Sequence, residues 1–195
     1  MACRFAFKQR LIRKSIALCL FTLLPLSVKD GPIVNPDSEM AKLMATFPRP
    51  GVVQWIGVRS ERRAPLLALD EVEAVAGHGL AGDHYSSRTN GKRQVTLIQQ
   101  EHLAVVAQLL GKAEVLAESV RRNIVVSGIN LYALRDRRFR IGEVSLEGTG
   151  TCDPCSRMEE VLGTGGYNAM RGHGGIVCRI LEGGTIRLGD AVIGQ

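Results

Sequence analysis

Two cysteines separated by two residues, Cys152 and Cys155, are the side chains of this sequence best suited to chemistry. The segment before them, 143–147, alternates apolar and polar residues and predicts a strand, whereas the segment after them, 156–162, predicts a short helix. Pro154 stands where that helix would begin. A cysteine at such a junction meets free backbone N–H groups and the positive helix end, which favour the ionised sulfur. The motif therefore predicts sulfur-centred or metal-centred chemistry.

Three interpretations of this motif are open on the residues alone. As a redox dithiol, the pair would need a surrounding βαβ pattern, which the sequence lacks. As a zinc site, Cys152 and Cys155 would recruit His173 and Cys178, a sufficient set of ligands. Against this, Cys178 alternates with isoleucines in a predicted strand and is expected in the core. We favour a single thiolate, Cys155 before Cys152, that binds a soft metal or carries a transferable sulfur.

Several polar side chains are candidates for holding an anionic ligand near the thiolate. Arg121, Arg122 and Asn123 stand at the start of a predicted strand, and the forked guanidinium donors match phosphate oxygens. An exposed strand end is the alternative interpretation. Arg157, next to the cysteine motif, and Arg93, after a long polar loop, are further candidates of the same kind.

Two glycine-rich stretches add weaker candidates. His173 lies within Gly172–Gly175, where a flexible backbone beside an imidazole suits close approach of a ligand; a tight turn with an exposed histidine is the alternative. The polar loop 77–91 is long enough to be functional. Its Asp83 is expected to cap or turn the loop through its backbone N–H groups. The remaining histidines, His78, His84 and His102, are weaker candidates than His173.

Short strands dominate the elements that must position these residues. The predicted strands are 52–58, 69–75, 93–98, 121–126, 139–141, 144–146, 176–181, 186–188 and 191–193. Helices are predicted over 100–110, 113–119 and 156–162 from their apolar spacing. Many short strands with few helices predict a mainly β, barrel-like domain.

Length and charge exclude several classes of protein. The 195 residues suffice for one domain with a sizeable core and an N-terminal appendage. Residues 40–195 carry 19 Lys and Arg against 16 Asp and Glu, a net charge of +3 with no aromatic-interleaved basic stripe, so no nucleic-acid partner is expected. The basic clusters 59–63 and 135–140 are expected in solvated loops, or at the rim of an anionic-ligand site. Five cysteines give no even disulfide framework, which favours a reducing cytosol.

The N-terminal segment 1–39 is treated apart from the body. Its basic residues precede an apolar run, 16–26, as in a secretory signal, but the run is short for a membrane span. We interpret 1–39 as an upstream extension of doubtful translation, with a signal or anchor, and hence export or membrane attachment, as the alternative. Residues 40–50 are expected to be a linker and 51–195 the domain.

Seven segments taken in order resemble the MOSC domain family, in particular its stand-alone bacterial members. They are Gly79–Asp83, Arg93–Ile98 with Glu101, Arg121–Val126, Phe139–Gly142, Cys152–Cys155, Gly172–Gly175 and Gly189–Asp190. The resemblance covers roughly residues 51–193. It implies a β-barrel-like fold and either binding of a molybdenum-pterin cofactor (molybdopterin) or handling of its sulfur.

The same resemblance implies roles for individual residues. In family members that reduce N-hydroxylated compounds a cysteine of this segment ligates molybdenum, and Cys155 is the best match, with Cys152 second. Arg121 and Asn123 match the Arg-x-Asn element that contacts the cofactor. We therefore expect a molybdenum-dependent oxidoreductase that acts on a small-molecule substrate.

Two other functions are kept as alternatives. The first is a sulfur carrier or cofactor-delivery protein that uses a Cys155 persulfide. The second is a zinc-stapled structural module. The sequence has no desulfurase domain, so pyridoxal-phosphate chemistry is expected only through a separate cysteine desulfurase, and a reductase would need a separate electron-transfer protein.

Overall fold

Short runs of β-branched and aliphatic residues form most of the regular structure of this protein. The computed structural model describes residues 35, 37–85 and 90–195. The strands there are β1 Gly51–Val58, β2 Leu67–Leu69, β3 Glu71–Val75, β4 Gly79–Leu80, β5 Val95–Gln99, β6 Ile124–Ser127, β7 Arg138–Ile141, β8 Val144–Thr151, β9 Ile176–Glu182, β10 Gly184–Arg187 and β11 Ala191–Gly194. The helices are α1 Glu39–Ala45, α2 Gln100–Leu109, α3 Ser156–Leu162 and α4 Gly166–Ala169, with 3-10 turns at Ala117–Val120 and Leu131–Leu134.

Seven of these strands close into a barrel. Their order is β11-β7-β8-β9-β5-β6-β1, and pairing of β1 with β11 completes the ring. Neighbouring strands are antiparallel except for the parallel pair β5 and β6, which α2 and a loop connect. The strand β2 extends the sheet from β1, and β3, β4 and β10 form a smaller second sheet. Closure leaves few exposed strand edges.

Two apolar clusters hold the fold together. The larger cluster includes Phe139, Leu97 and Ile176, all at most 1% exposed, and is built by inward-facing residues of the barrel strands. The smaller cluster lies between the helices and the barrel wall and includes Val106 of α2 and Met158 of α3. Burial of each such side chain contributes about 1.5–3 kcal/mol. The cluster containing Met158 anchors the helix that follows the cysteine motif.

The predicted fold class, a mainly β barrel-like domain with a few short helices, is confirmed. The helix predicted over 156–162 is α3, and the one over 100–110 is α2 apart from its last residue. The helix predicted over 113–119 was wrong for most of its length, because only Ala117–Val120 is helical and Val115 packs in the smaller cluster. The strand predicted over 121–126 begins only at Ile124, since Arg121 has a left-handed backbone.

Two other predicted elements differ in extent. The strand predicted over 69–75 is divided at Asp70, because β2 pairs with the barrel and β3 with the second sheet. The expected linker 40–50 contains most of α1, which Ser38 caps by accepting a hydrogen bond from the N–H of Ala41 at 3.1 Å. Nearly all of segment 1–39 lies outside the described residues. No helix in the described ranges is long and apolar enough to span a bilayer.

Candidate functional site

The loops between the barrel strands enclose a cleft of about 280 Å³. They are the segments that follow β1, β4 and β8 and those that precede β5 and β6. Four arginines line this cleft together with both cysteines of the motif: Arg59, Arg93, Arg121, Arg122, Cys152 and Cys155. The thiol-arginine cleft, as we call it, thus brings together the predicted metal ligands and most of the predicted anion-binding residues.

Cys155 is the accessible sulfur of the cleft. It is exposed and is the N-cap residue of α3, with φ −116° and ψ 171°. Burial first, and then the neighbouring cation of Arg121, lower the pKa of Arg59, whereas the carboxylate of Asp83 and, less strongly, negative charge on the Cys155 sulfur act in the opposite direction. A Cys155 thiolate therefore stabilises the protonated arginines around it.

Arg122, by contrast, holds the cleft together from within. It is 6% exposed, and its guanidinium donates hydrogen bonds to the backbone oxygens of Gly174 at 2.7 Å, Val120 at 2.8 Å and Cys152 at 3.0 Å. Burial lowers the pKa of Arg122, and negative charge on Cys152 opposes this effect. Because its three nitrogens are all engaged, Arg122 positions the cysteine segment and has little capacity left for a ligand.

Gly174 permits this arrangement. A Cβ atom at Gly174 would lie 2.0 Å from the carbonyl oxygen of Cys152, well inside van der Waals contact. The glycine-rich stretch 172–175 thus serves close approach of backbone to backbone beside the Arg122 guanidinium.

Unlike Arg122, Arg121 has a side chain that is not engaged by the described residues of the protein. Its backbone is left-handed, with φ 59° and ψ 35°, a conformation that is strained for a residue with a Cβ atom. Its side chain lines the cleft and forms no hydrogen bond or ion pair with any residue that the structure describes. Arg121 is therefore available to bind an anionic ligand.

Asn123 and Arg93 occupy intermediate positions on the cleft wall. The side-chain oxygen of Asn123 accepts hydrogen bonds from the N–H and hydroxyl of Thr96 at 3.2 and 2.8 Å, and its amide donates to the carbonyl of Gly57 at 3.3 Å. Asn123 thus ties β5 to β1 across the start of β6. Arg93 Nη2 lies 3.5 Å from the sulfur of Cys152, which is 3% exposed. The sulfur of Cys152 is therefore less accessible to a ligand than that of Cys155.

Two predicted cofactor-binding residues lie outside the cleft. His173 packs its ring against that of His102, with ring centroids 5.0 Å apart at an interplanar angle of 80°. Arg157 projects from α3 and pairs with Glu160, one turn further along the helix. Arg157 follows Cys155 by two residues and His173 follows it by 18 residues, and the side chains of both lie outside the cleft.

The cleft is also lined by residues that were not among the predicted ligands, and three of them carry charge or an imidazole near the rim: Asp83, His84 and Arg59. Asp83 was expected only to cap or turn its loop, His84 was one of the weaker histidines, and Arg59 was assigned to a basic cluster at a loop or a ligand rim. For Asp83 and His84 the available signal was the unusual length of the polar loop 77–91, and for Arg59 it was the basic cluster 59–63. The length of a loop indicates that it is functional but does not predict which of its side chains line the cleft.

The structure does not assemble the four ligands of the zinc interpretation. Among the described residues there is no group of three or more histidine, cysteine or carboxylate side chains that could hold a metal ion. Cys178 is fully buried in the barrel core, where burial raises the pKa of its thiol well above the ordinary value. The expected core position of Cys178 is confirmed.

We expect Cys178→Ala to act only through packing. Removal of one buried sulfur should lower the free energy of unfolding by about 1–2 kcal/mol, measured by urea denaturation. Metal content, measured on the same preparation, should equal that of the wild type. Loss of bound metal together with folding would revive the zinc interpretation.

The packed imidazole rings of His102 and His173 make the stability of the protein depend on pH. Burial, and then the neighbouring His173, lower the pKa of His102 from its ordinary value of 6.5, and Glu101 opposes them. The unfolded chain thus takes up a proton near pH 6.5 that the folded chain accepts only at lower pH, so stability is full above that value and falls as the pH drops below it.

When the pH is lowered from about 7.5 to about 5.5, the free energy of unfolding should therefore decrease less in His102→Gln than in the wild type. Urea denaturation at the two pH values gives both differences. An equal loss in the two proteins would show that His102 does not carry the effect.

The closed β-barrel thus carries two cysteines and four arginines on its loops into one cleft. A model of the MOSC domain family matches residues 78–193, which is more than half of the chain. The chain therefore belongs to the MOSC domain family, as its motifs predict. No curated protein sequence matches it.

Solved structures share the fold. The chain is similar to the YuaD protein of Bacillus subtilis, with a TM-score of 0.66 and 20% identity over 75% of this chain and 97% of YuaD. It is also similar to YiiM from Escherichia coli, with a TM-score of 0.58 and 16% identity over 74% of this chain and 69% of YiiM. YiiM from Geobacillus stearothermophilus gives a TM-score of 0.60 at 14% identity, over 75% of each chain. At these identities the likeness extends to the fold alone.

Proposed function

We propose that this protein binds a molybdenum-pterin cofactor in the thiol-arginine cleft and reduces N-hydroxylated compounds. The observation that carries the proposal is that one cleft holds the exposed Cys155 sulfur together with the unpaired cation of Arg121. A soft metal prefers thiolate, and a phosphate prefers guanidinium. The cofactor offers both a metal and a phosphate.

The donor set of the cleft fits such a group. Arg59, Arg93 and Arg121 supply positive charge, while the carboxylate of Asp83 is already occupied by the backbone N–H groups of Arg59 and Tyr85 at 3.1 and 3.3 Å. The volume of about 280 Å³ lies near the lower end of ligand pockets, roughly 300–1,000 Å³. A larger ligand would therefore fill the cleft and extend past its rim.

Each residue then has a separate task. Cys155 would hold the metal, Arg121 the phosphate, and Arg122 would keep the cysteine segment in place through its bond to the Cys152 carbonyl. The group, when bound, supplies two-electron redox chemistry at the metal, and the protein supplies orientation and electrostatics. Reducing equivalents would come from a separate electron-transfer protein. The free thiols of Cys152, Cys155 and Cys178 support a reducing compartment, the cytosol.

The exposure of Cys155 also favours a second candidate function, carriage of sulfur. An exposed thiol beside several cations can accept a persulfide sulfur from a partner such as a cysteine desulfurase and release it to an acceptor. The buried Cys152 is closed to such a partner.

The two functions are distinguished by comparing two preparations of the protein. Protein from a host that makes molybdenum cofactor is compared with protein from a host that cannot, using reduced viologen dye as the electron donor and an N-hydroxylated amidine as the substrate. We expect turnover only in the first preparation. Absence of turnover, together with a thiol-removable increment of one sulfur atom on Cys155 in the mass spectrum, would contradict the reductase and support sulfur carriage.

A further inference from the structure

Three side chains at the rim of the thiol-arginine cleft form a connected set: Asp83, His84 and Arg59. The Asp83 side chain is only 3% exposed, and its Oδ2 lies 3.7 Å from His84 Nδ1. On the other side, Arg59 Nε donates a hydrogen bond to the same Nδ1 at 3.3 Å. A buried carboxylate and a cation thus compete for one ring nitrogen of His84.

The competition links the protonation state of His84 to its neighbours. When the ring is neutral, Nδ1 accepts from Arg59 and the proton resides on Nε2. When the ring is an imidazolium, Nδ1 carries a proton, repels the donor of Arg59 and is attracted to Asp83. In the structure, Nε2 of His84 has no hydrogen-bond partner among the described residues. His84 lines the same cleft as Cys155.

We propose that His84 donates the proton that the leaving oxygen needs when the N–O bond of an N-hydroxylated substrate is cleaved in this cleft. The inference rests on the proposed function. Reduction of R–NH–OH requires two electrons and two protons and yields R–NH2 and water. The electrons come from an external electron-transfer protein and the N–O bond breaks.

One proton passes from Nε2 of the His84 imidazolium to the departing oxygen, and solvent supplies the other. His84 is left neutral with its remaining proton on Nδ1, facing the carboxylate of Asp83. Asp83 and Arg59 act as positioning residues, since they act on the ring and not on the substrate.

The charges around His84 set the conditions for this role. The cations that face the cleft come from three separate segments, and Asp83 is the carboxylate nearest to the ring. The charged or titratable groups of the cleft are Asp83 and Tyr85 from the loop of His84, Arg59, Arg93, Arg121 and Arg122, and Cys152, Asp153 and Cys155.

The test compares His84→Gln with His78→Gln, a matched change in the same loop outside the cleft. Its ring nitrogen Nδ1 lies 3.1 Å from the carbonyl oxygen of Ala76, and His78 does not line the thiol-arginine cleft. We expect equal molybdenum content in wild type and both variants, with kcat reduced about a hundredfold or more in His84→Gln only and KM little changed. In His84→Ala, added imidazole should restore part of kcat. A His84→Gln variant that contains molybdenum and has the kcat of the wild type would overturn the inference.

A second readout needs no turnover, so it stands apart from the proposed function. Long-range ¹H–¹⁵N NMR of the metal-free protein reports which ring nitrogen of His84 carries the proton at mildly alkaline pH. We expect the Nε2–H tautomer in the wild type and a shift toward Nδ1–H in Arg59→Leu, because the donor to Nδ1 is lost. An unchanged tautomer in Arg59→Leu would overturn the coupling. If the wild type binds no molybdenum, the proposed function fails while this measurement still decides the coupling.

Discussion

Cys155→Ala is expected to lower N-hydroxylated-compound reduction by about a thousandfold or more, with little change in stability. The loss follows because Cys155 is the accessible thiol of the cleft, whereas Cys152 is 3% exposed and contacted by Arg93. Stability should stay within about 0.5 kcal/mol of the wild type, since the Cys155 side chain is exposed. Activity with a reduced viologen donor and urea denaturation measure the two effects.

Cys152→Ala is the matched control for this prediction. It removes a buried sulfur of the same motif, so it should cost about 1–2 kcal/mol of stability yet leave bound molybdenum in place. The opposite pattern, with metal and activity lost in Cys152→Ala and kept in Cys155→Ala, would reassign the metal ligand to the buried cysteine.

Arg122→Ala is expected to destabilise the protein by at least about 3 kcal/mol. The change removes the hydrogen bonds that the carbonyl oxygens of Gly174, Val120 and Cys152 accept from the Arg122 guanidinium. Arg122 is only 6% exposed, so these oxygens are left without a partner in a buried position. A buried acceptor left without a partner costs about 1–3 kcal/mol. The free energy of unfolding, from urea denaturation, measures the effect.

Arg121→Gly is the neighbouring change with the opposite expectation. Glycine adopts the φ of 59° without strain, so the free energy of unfolding should stay equal or rise by about 1 kcal/mol. Retention of cofactor should nevertheless fall at least about tenfold, because one charge-assisted contact to the phosphate is lost. A large loss of stability in Arg121→Gly, or a small one in Arg122→Ala, would show that the two arginines have exchanged roles.

The barrel was predictable because local patterns and the global fold agree in this chain. The apolar spacing and the Pro154 start signal fixed α3, and turn glycines such as Gly189 separated the last strands. Where one predicted strand was wrong in extent, pairing with other strands determined the structure. The backbone at Asp70 divides one predicted strand because its two halves pair in different sheets.

The candidate site was predictable by residue type but not by role. Sequence marks Arg121 and Arg122 equally as cations beside a strand, and only burial and hydrogen bonds separate an available ligand-binding guanidinium from one that clamps three carbonyls. His173 and His84 show the same limit. Both lie in glycine-rich stretches, and the direction in which each backbone turns brings His84 to the cleft and His173 to His102.

The central claim is that Cys155 holds molybdenum in the thiol-arginine cleft. Its most direct test is the molybdenum and pterin content of the purified full chain, wild type beside Cys155→Ala, both from a host that makes the cofactor. We expect near-stoichiometric molybdenum and pterin in the wild type and loss of the metal in Cys155→Ala. Wild-type protein without molybdenum, or equal metal in the two proteins, would contradict the claim.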